Sequence, residues 1–473
     1  MKKVQAYEGL QVAILGLGKS GVAAAKRFHL AGAVVTVNDL KTREESPEAA
    51  ELEALGIHVI CGGHPDDFPS ENTKLLVKNP GIPYQVLPVQ RAITLGIEVV
   101  SEVEVAFSDT DIPLIGITGS NGKTTTTTLV GMIMDRAGMN PMVCGNIGRP
   151  VTDAVTEANE SQSDSNHAVR WLVAELSSFQ LKGTFDTRAR IGCMTNLYET
   201  HLDYHGDMND YSESKYKLFS GMQTGDVAVW NADQSITNEW LKRPFGGDVW
   251  LFSSTGSVTR GVGVQEGFLT WYKVDGASEQ IIKLDEIGIP GQHNVENAAA
   301  AAAISLAAGA SIESIFAVLS EFRGVEHRLE FVREIGGIQV FNDSKATNPQ
   351  ASIRAITSFN QPVVYIAGGL DRGSDYMELL PFFEKHIKAL VAFGQTAEKL
   401  KRVAELAGVA NIQLVGLPDG RGLEGMIADA VEAAFGFANP GDVVLLSPAC
   451  ASWDQFKSYE VRGRMFKAAV HNL

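Results

Sequence analysis

A phosphate-binding loop between a strand and a helix constrains the fold of this chain more than any other feature. The run TGSNGKTT occupies Thr118–Thr125, after the apolar stretch Leu114–Thr118 and before a helix expected from Lys123. It keeps the G-x-x-G-K-T core of a phosphate loop, although Ile117 stands where the longer motif has its first glycine. Backbone N–H groups and Lys123 would hold phosphates, and the Thr124 hydroxyl would bind Mg²⁺. The sequence therefore predicts a nucleotide-binding α/β domain.

A second glycine-rich turn lies near the start of the chain. GLGKSG, at Gly16–Gly21, separates a predicted strand at Val12–Leu15 from a predicted helix at Val22–Leu30, and Asp39 closes the next strand, Val34–Asn38. The spacing matches a dinucleotide-binding fingerprint. Glycines let the backbone approach a phosphate, and an acidic side chain binds hydroxyl or N–H groups, so any nucleotide diphosphate fits as well as NAD. A turn needed only for packing is the remaining alternative.

Polar residues follow other apolar strands of the central region. Glu175 ends the strand Trp171–Ala174, where a carboxylate is a natural Mg²⁺ ligand. His201 follows the strand Ile191–Asn196, and no zinc-peptidase motif accompanies it. Taken alone, Lys215 is best explained as part of a solvated helix face. We further expect a surface loop at residues 156–168, and an alanine-rich helix capped by Asn294.

The last third of the chain is predicted to be another α/β unit. Five strands are expected, at Ile338–Asn342, Val363–Ala367, Ala389–Phe393, Ile412–Val415 and Val443–Leu446. Three of them are followed by the polar runs NDSKATNP, AGGLDRGSD and SPACASWDQFKSYEVRG. Loops at the carboxyl ends of parallel strands share one edge of a sheet, which predicts a binding site there.

Composition narrows the class of protein. The net charge of −16 argues against general nucleic-acid binding, which needs a positive field. The four cysteines, Cys61, Cys144, Cys193 and Cys450, form no metal-binding pattern and are expected to be free thiols. Neither a signal peptide nor a membrane span is expected, so a cytoplasmic location is predicted.

Taken in order, these motifs resemble the Mur ligase family over essentially the whole chain. The resemblance also rests on NPGIP, GNIG, ELSSFQL, THLDYH, GQHNVEN and EHR. It implies an α/β fold of three domains: a Rossmann-like domain for the UDP-linked substrate at 1–109, a central P-loop-type mononucleotide-binding ATPase domain at 110–323, and a Rossmann-like domain for the amino acid at 324–473. It also replaces the NAD interpretation of GLGKSG with a uridine nucleotide.

The resemblance further implies an activity. Its closest branch is an ATP-dependent, ADP-forming ligase that adds D-glutamate to UDP-N-acetylmuramoyl-L-alanine through an acyl phosphate. This reaction belongs to cytoplasmic peptidoglycan precursor synthesis. Two Mg²⁺ ions would assist, and the protein would act as a monomer.

The family pattern assigns roles to individual residues. ATP would be bound by Gly119, Ser120, Asn121, Gly122, Lys123, Thr124, Thr125, Asn294, Asn297, Arg328 and Asp343. The UDP-linked substrate would be bound by Gly16, Gly18, Lys19, Ser20, Asp39, Asn79, Asn146, Ser177, Gln180 and His201. D-Glutamate would be bound by Lys345, Thr347, Arg372, Ser452 and Tyr459. The metal ligands would be Thr124, Glu175, His201 and a carbamylated Lys215, and the catalytic set Lys123, His201, Lys215, His327 and Arg328.

Two departures and four alternatives remain open at this stage, one of the alternatives being another Mur ligase. Arg372 stands where some members carry lysine, and Tyr459 where some carry phenylalanine, which affects glutamate recognition more than the reaction. A folylpolyglutamate-type ligase shares the central fold but lacks the first domain and SPACASWDQFK. An NAD oxidoreductase would bind nicotinamide, and a nucleotide-dependent switch would hydrolyse ATP without any amino acid.

Overall fold

The computed structural model of the chain describes residues 1–162, 168–289, 291–416, 421–452 and 455–473. The chain forms two compact units, Met1–Phe322 and Arg323–Leu473. The first unit contains two β-sheets and the second contains one. Among the described residues, no helix is both long and apolar enough to cross a membrane.

The N-terminal sheet is entirely parallel, with strand order β3-β2-β1-β4-β5. Alternate residues of its central strand face opposite sides, Ile14 into one apolar cluster and Ala13 into the other. Helices therefore cover both faces, as a parallel sheet requires. The strands are β1 (Gln11–Leu15), β2 (Val34–Asp39), β3 (His58–Cys61), β4 (Thr73–Lys78) and β5 (Glu98–Ser101), and the helices are α1 (Lys19–Leu30), α2 (Pro47–Ala54), α3 (Leu87–Thr94) and α4 (Glu102–Ser108).

Helix α1 begins earlier than the sequence predicted. Its first residue is Lys19, so Lys19, Ser20 and Gly21 belong to the helix and not to the turn. A Cβ on Gly21 would overlap the carbonyl oxygen of Gly16. Glycine at position 21 thus lets the first helical turn pack directly on the glycine turn, which brings the helix N-terminus next to the end of β1.

The central sheet has nine strands in the order β14-β13-β12-β11-β10-β9-β6-β8-β7. Strand β6, which leads into the phosphate loop, lies inside the sheet between β8 and β9. The strands are β6 (Leu114–Thr118), β7 (Pro141–Gly145), β8 (Trp171–Glu175), β9 (Ile191–Met194), β10 (Val227–Asn231), β11 (Asp248–Phe252), β12 (Gly261–Gln265), β13 (Phe268–Tyr272) and β14 (Ser278–Lys283). The helices are α5 (Lys123–Arg136), α6 (Val151–Ser161), α7 (Ser178–Lys182), α8 (Leu202–His205), α9 (Met208–Ser220), α10 (Ser235–Trp240), α11 (Gln292–Ala308) and α12 (Ile312–Glu321).

Two local predictions in this region were wrong. The expected surface loop at 156–168 is helical as far as Ser161, because Val155 and Ala158 pack into the core while the polar residues face outwards; residues 163–167 lie outside the described residues. Asn294 does not cap the alanine-rich helix. Gly291 precedes its first residue, and the Asn294 Oδ1 instead accepts a hydrogen bond from Asn297 Nδ2 at 3.2 Å.

Buried polar contacts join the two sheets of the first unit. The Lys78 Nζ donates to the carbonyl oxygen of Ile82 at 2.8 Å and to the Tyr204 hydroxyl of helix α8 at 3.1 Å. The Ser101 N–H donates to the Gly183 carbonyl at 2.9 Å. These bonds satisfy polar groups that the contact between the sheets removes from water.

The second unit has a six-stranded sheet in the order β15-β16-β20-β17-β18-β19. Among the described residues of this unit, only the pairing of β15 with β16 is antiparallel. The GG turn between these two strands is a hairpin signal that the sequence prediction missed. The strands are β15 (Glu330–Ile335), β16 (Ile338–Asn342), β17 (Val363–Gly368), β18 (Ile387–Phe393), β19 (Asn411–Val415) and β20 (Val443–Leu446), and the helices are α13 (Pro349–Ile356), α14 (Leu380–His386), α15 (Ala397–Leu406), α16 (Gly422–Phe437) and α17 (Tyr459–His471).

Candidate functional site

The phosphate loop has a fixed shape imposed by its glycines. Gly119 and Gly122 have φ angles of +144° and +79°, which favour glycine. A Cβ on Gly119 would overlap the Thr195 Oγ1, and one on Gly122 would overlap the Asn297 Oδ1. Asn297, on α11, is therefore packed against the last residue of the loop before α5. The sequence-predicted nucleotide residues Gly122 and Asn297 lie together.

The rest of the loop is held by the segment that follows strand β9 and by helix α9. The Asn121 N–H donates to Asn196 Oδ1 at 2.8 Å, and the Ser120 Oγ lies 2.9 Å from the Tyr211 hydroxyl. The Lys123 Nζ curls back to the carbonyl oxygens of Gly119 and Ser120, both at 2.8 Å. Thr124 is buried, and Thr125 lies in the first turn of α5. An amine held over a loop of this shape is placed to transfer its hydrogen bonds to a phosphate.

Lys215 is not on a solvated helix face. Its side chain is 1% exposed, and its Nζ donates to the carbonyl oxygen of Gly119 at 2.7 Å. Burial, and then the charge of Lys123, lower the pKa of Lys215 well below 10.5, while Glu175 opposes the shift. A buried amine with a lowered pKa is a candidate functional group.

Glu175 lies at the end of β8, and its two carboxylate oxygens have different surroundings. Its Oε1 accepts from Asn146 Nδ2 at 2.8 Å. Its Oε2 is buried and, in the described part of the chain, has no hydrogen-bond partner. A buried carboxylate oxygen of this kind is costly unless a ligand completes it. Glu175 thus fits the predicted role of metal ligand.

His201 has a left-handed backbone, with φ of 59°, immediately before helix α8. Its ring packs edge-on against Phe179, with ring centroids 5.0 Å apart, and lies 6.3 Å from the ring of Tyr211. Tyr211 also contacts Ser120 of the phosphate loop, so His201 lies near that loop. Within the described residues, no three His, Cys, Asp or Glu side chains form a cluster that could hold a metal ion.

The glycine turn of the N-terminal sheet forms a second cluster. A Cβ on Gly18 would lie 2.5 Å from Asn79 Nδ2, and one on Gly16 would lie 2.8 Å from the same atom. The Asp39 Oδ2 accepts the Leu17 N–H at 2.6 Å. The turn, Asp39 and Asn79 therefore meet where the strand order reverses between β1 and β4, the usual ligand position in such sheets. The exposed Lys19 and half-buried Ser20 begin α1 beside it.

Ser177 and Gln180, predicted to bind substrate, bond to each other. The Gln180 N–H donates to Ser177 Oγ at 3.3 Å, and the Ser177 N–H donates to Gln180 Oε1 at 2.9 Å. This reciprocal arrangement caps helix α7. It gives both side chains a structural role in addition to any contact with a ligand.

In the second unit, His327 is 2% exposed and points into the core. Its Nδ1 lies 2.9 Å from Asn342 Nδ2, and a Cβ on Gly463 would overlap it. Burial lowers the pKa of His327, although Glu326 and Glu330 oppose the shift. The ring is thus fixed inside the unit, whereas the adjacent Arg328 is only half-buried.

Asp343 lies at the end of β16 and is also buried. It accepts the Leu329 N–H at 3.1 Å and the Ser447 Oγ–H at 2.8 Å. Burial raises the pKa of Asp343 to about 7. These contacts tie the EHR turn to the loops that follow β16 and β20.

Four of the predicted amino-acid-binding residues lie on loops at one edge of this sheet, where strands β16, β20 and β17 are adjacent, and the fifth, Tyr459, is the first residue of helix α17. The Lys345 Nζ lies 5.9 Å from the centre of the Tyr459 ring. Ser452 is buried, Thr347 is half-buried and Arg372 is exposed. Trp453 and Asp454, in the same motif as Ser452, lie outside the described residues.

Sequence reasoning missed two buried basic residues, Lys78 and Arg462, both 0% exposed. Lysine or arginine within an ordinary strand or helix is normally solvated, so neither stood out. The only signal in the sequence was their position, Lys78 directly before NPGIP and Arg462 within the helix that follows SPACASWDQFK.

Comparison with known proteins matches each region of the chain. Residues 10–101 match the Mur ligase MurD-like N-terminal domain, 117–305 the Mur ligase middle domain, and 327–450 the Mur ligase glutamate ligase domain. The prediction of three α/β domains of this family is confirmed.

The chain also matches named relatives over its full length. The chain is 44% identical over 474 residues to a UDP-N-acetylmuramoylalanine--D-glutamate ligase of Geobacillus sp. (strain WCH70), covering 100% of both chains. It is 42% identical over 473 residues to the enzyme of the same name from Bacillus cytotoxicus, again covering 100% of both.

Solved structures share the fold at low identity. MurF from Acinetobacter baumannii superimposes with a TM-score of 0.57 at 16% identity, covering 99% of this chain and 93% of that one. A UDP-N-acetylmuramoyl-L-alanyl-D-glutamate--2,6-diaminopimelate ligase gives a TM-score of 0.54 at 18% identity, with 100% and 94% covered. The family models, the full-length relatives and the fold lead to one assignment: the chain belongs to the Mur ligase family.

Proposed function

We propose that this protein joins D-glutamate to the alanyl carboxylate of UDP-N-acetylmuramoyl-L-alanine, using ATP and releasing ADP and phosphate. A free carboxylate is too poor an electrophile for amide formation, so ATP first converts it into an acyl phosphate. The amine of D-glutamate then attacks that carbonyl and phosphate leaves. The observation that carries the proposal is the buried Lys215 amine, held 2.7 Å from the Gly119 carbonyl beside a phosphate loop.

The phosphate loop supplies the groups that would hold ATP. Backbone N–H groups between Gly119 and Thr125 bind phosphate oxygens, and the Lys123 ammonium neutralises charge on them. Asn294 and Asn297, which bond to each other beside Gly122, would contact the base. From the second unit, Asp343 would contact the nucleotide, and the burial of the His327 ring favours Arg328 as the phosphate contact.

Thr124, Glu175, His201 and Lys215 would hold two Mg²⁺ ions. The buried, unpartnered Glu175 Oε2 fits this role. Lys215 fits it after carbamylation: its uncharged amine adds to CO₂ and loses a proton, forming an anion with two oxygens, the ligand type that Mg²⁺ prefers. When bound, Mg²⁺ neutralises charge that develops on the transferred phosphoryl group.

The remaining site residues would bind the two other substrates. The uridine nucleotide would lie against Gly16, Gly18, Lys19, Ser20, Asp39 and Asn79. Asn146, Ser177, Gln180 and His201 would lie along the rest of that substrate. Lys345, Thr347, Arg372, Ser452 and Tyr459 would bind the carboxylates of D-glutamate. Asn146, bonded to Glu175, would connect the substrate site with the metal site.

We further propose that the domains 1–109, 110–323 and 324–473 carry UDP-substrate, ATP and amino-acid binding respectively, and that the enzyme acts as a cytoplasmic monomer. The decisive experiment measures phosphate release with UDP-N-acetylmuramoyl-L-alanine, ATP, Mg²⁺ and a panel of amino acids. Release should depend on D-glutamate, not on L-glutamate. Release without any amino acid would indicate a nucleotide-dependent switch instead, and a requirement for a folate substrate would indicate a folylpolyglutamate-type ligase.

A further inference from the structure

A fully buried arginine lies beneath the candidate amino-acid site. Arg462 belongs to helix α17, one turn after Tyr459, and its side chain is 0% exposed. Burying a guanidinium is costly unless its N–H groups are hydrogen-bonded. Its contacts therefore indicate what this charge does for the protein.

The Arg462 guanidinium donates to three separate loops. Its Nε donates to Ser344 Oγ at 3.0 Å, and its Nη2 donates to the Ser344 carbonyl oxygen at 2.9 Å. Its Nη1 donates to the Gly368 carbonyl at 3.3 Å, and both Nη atoms lie 3.3 Å from the Cys450 carbonyl. A planar fork of five N–H donors fixes several acceptors at once, which an ammonium cannot do.

Each acceptor lies within four residues of a predicted D-glutamate-binding residue. Ser344 directly precedes Lys345, and Cys450 lies two residues before Ser452. Gly368 ends β17, at the start of the loop that carries Arg372. The three loops follow the adjacent strands β16, β20 and β17. The Arg462 side chain, which bonds to all three segments, therefore fixes the distances between them.

A hydrogen bond of Ser344 extends this arrangement to helix α17. The Ser344 Oγ, which accepts from Arg462 Nε, donates in turn to the Tyr459 carbonyl oxygen at 2.8 Å. The loops also touch directly, since the Leu370 N–H donates to the Ala451 carbonyl at 2.9 Å. A change at Arg462 would therefore move groups from all the segments that are proposed to bind the amino acid.

We propose that Arg462 is a positioning residue for D-glutamate, which fixes the spacing of the loops after β16, β17 and β20 without touching the substrate. The proposal rests on the function proposed above. It predicts a defect confined to the amino acid, because ATP and the UDP-linked substrate are assigned mainly to groups of the first unit. A purely structural role would instead lower the amount of folded enzyme and leave the KM values of the remaining molecules unchanged.

The test compares Arg462→Lys and Arg462→Met with the unaltered full-length enzyme. The KM for D-glutamate should rise about tenfold or more, because displacing binding groups by about 1 Å can cost that much. The KM values for ATP and the UDP-linked substrate should stay within about twofold of their original values. Acyl phosphate formed without D-glutamate, trapped as a hydroxamate with hydroxylamine, should form at nearly the original rate.

Two further variants keep the test decisive if Arg462→Met fails to fold. Ser344→Ala removes only the hydroxyl between Arg462 and Tyr459, and should raise the same KM by a smaller factor. Val470→Ala, on the same helix and fully buried, removes core packing without touching the loops and should leave that KM unchanged. An unchanged D-glutamate KM in Arg462→Lys and Ser344→Ala, a common rise for all substrates, or an equal rise in Val470→Ala would overturn the proposal. If the unaltered enzyme does not use D-glutamate, the proposed function itself is wrong.

Discussion

The amine of Lys215 donates to the carbonyl oxygen of Gly119 at 2.7 Å, so a side chain of helix α9 reaches the phosphate loop from inside the core. Lys215→Ala should lower activity by about a hundredfold or more if its carbamate holds a metal ion. The fold should remain intact by circular dichroism. Acetate or formate, by supplying carboxylate oxygens in the cavity left behind, should restore part of the activity.

Lys217→Ala is the matched control for that variant. Lys217 lies on the same helix as Lys215, but its side chain points away from the phosphate loop. Its Nζ donates to the Lys182 carbonyl at 2.6 Å and to the Thr184 carbonyl at 3.1 Å. Its activity should stay near that of the unaltered enzyme. Near-normal activity of Lys215→Ala would refute the metal role, and loss without rescue would contradict the carbamate.

Gly122→Ala should abolish nucleotide binding. The added Cβ would overlap Asn297 Oδ1, and a φ of +79° already disfavours alanine. The combined strain should cost about 2–4 kcal/mol of unfolding free energy. Gly138→Ala, with φ of +69° and no atom near the added Cβ, should cost about 1 kcal/mol and leave ATP binding unchanged. Equal ATP affinities in the two variants, measured by titration calorimetry, would contradict this explanation.

The N-terminal sheet should bind UDP and not NADH. In a calorimetric titration of the whole protein, UDP should give saturable heat while NADH gives none. Gly18→Ala should weaken UDP binding, because its Cβ would lie 2.5 Å from Asn79 Nδ2. Gly436→Ala, where nothing lies near the added Cβ, should bind UDP normally. Binding of NADH in place of UDP would restore the dinucleotide interpretation of GLGKSG.

Glu102 should make the protein less stable as pH rises from about 4.5 to about 7. Burial raises the pKa of Glu102 to about 7 from its ordinary 4.5. Over this range the folded carboxyl keeps its proton while the unfolded one ionises, so unfolding releases a proton and its free energy falls with pH. Below this range the carboxyl is protonated in both the folded and the unfolded state. Above it, the decrease in unfolding free energy is complete.

Glu102→Gln should remove this dependence. The stability of Glu102→Gln relative to the unaltered protein should increase by about 2–3 kcal/mol between pH 4.5 and 7.5, measured by urea unfolding. Activity should not change, because Glu102 accepts the Thr152 N–H at the start of α6 and is not part of the proposed site. A constant difference across the range would show that Glu102 ionises normally.

Much of the architecture could be predicted because the apolar runs and glycine turns are local signals. Strand β6 and the start of helix α5 lie where TGSNGKTT placed them, and the strands predicted for the second unit are present, with some ends shifted by one or two residues. The family match also confirmed the prediction of a Mur-type ligase. Helix α6 was missed because its exposed face is almost entirely polar, which sequence reasoning attributed to a loop.

The candidate site was predicted less completely, since distant segments create the environment of each side chain. Without the family resemblance, a solvated helix face was the favoured interpretation of Lys215, as for any lysine in such a sequence. Its burial depends on Thr118 and Gly119, almost a hundred residues earlier in the chain. Arg462 likewise depends on loops that precede it in sequence, so local sequence alone could not distinguish either residue from an ordinary surface cation.

The contact of Lys78 with Tyr204 has a consequence for how the protein melts. It joins the N-terminal sheet to the central one through a side chain with no access to water, and the Ser101–Gly183 bond reinforces it. Separating the sheets would exchange these hydrogen bonds for bonds to water, and each such protein hydrogen bond contributes a net stabilisation of about 0.5–1.5 kcal/mol. The two regions that the sequence distinguishes as separate domains should therefore lose structure cooperatively and contribute to a single heat-capacity peak.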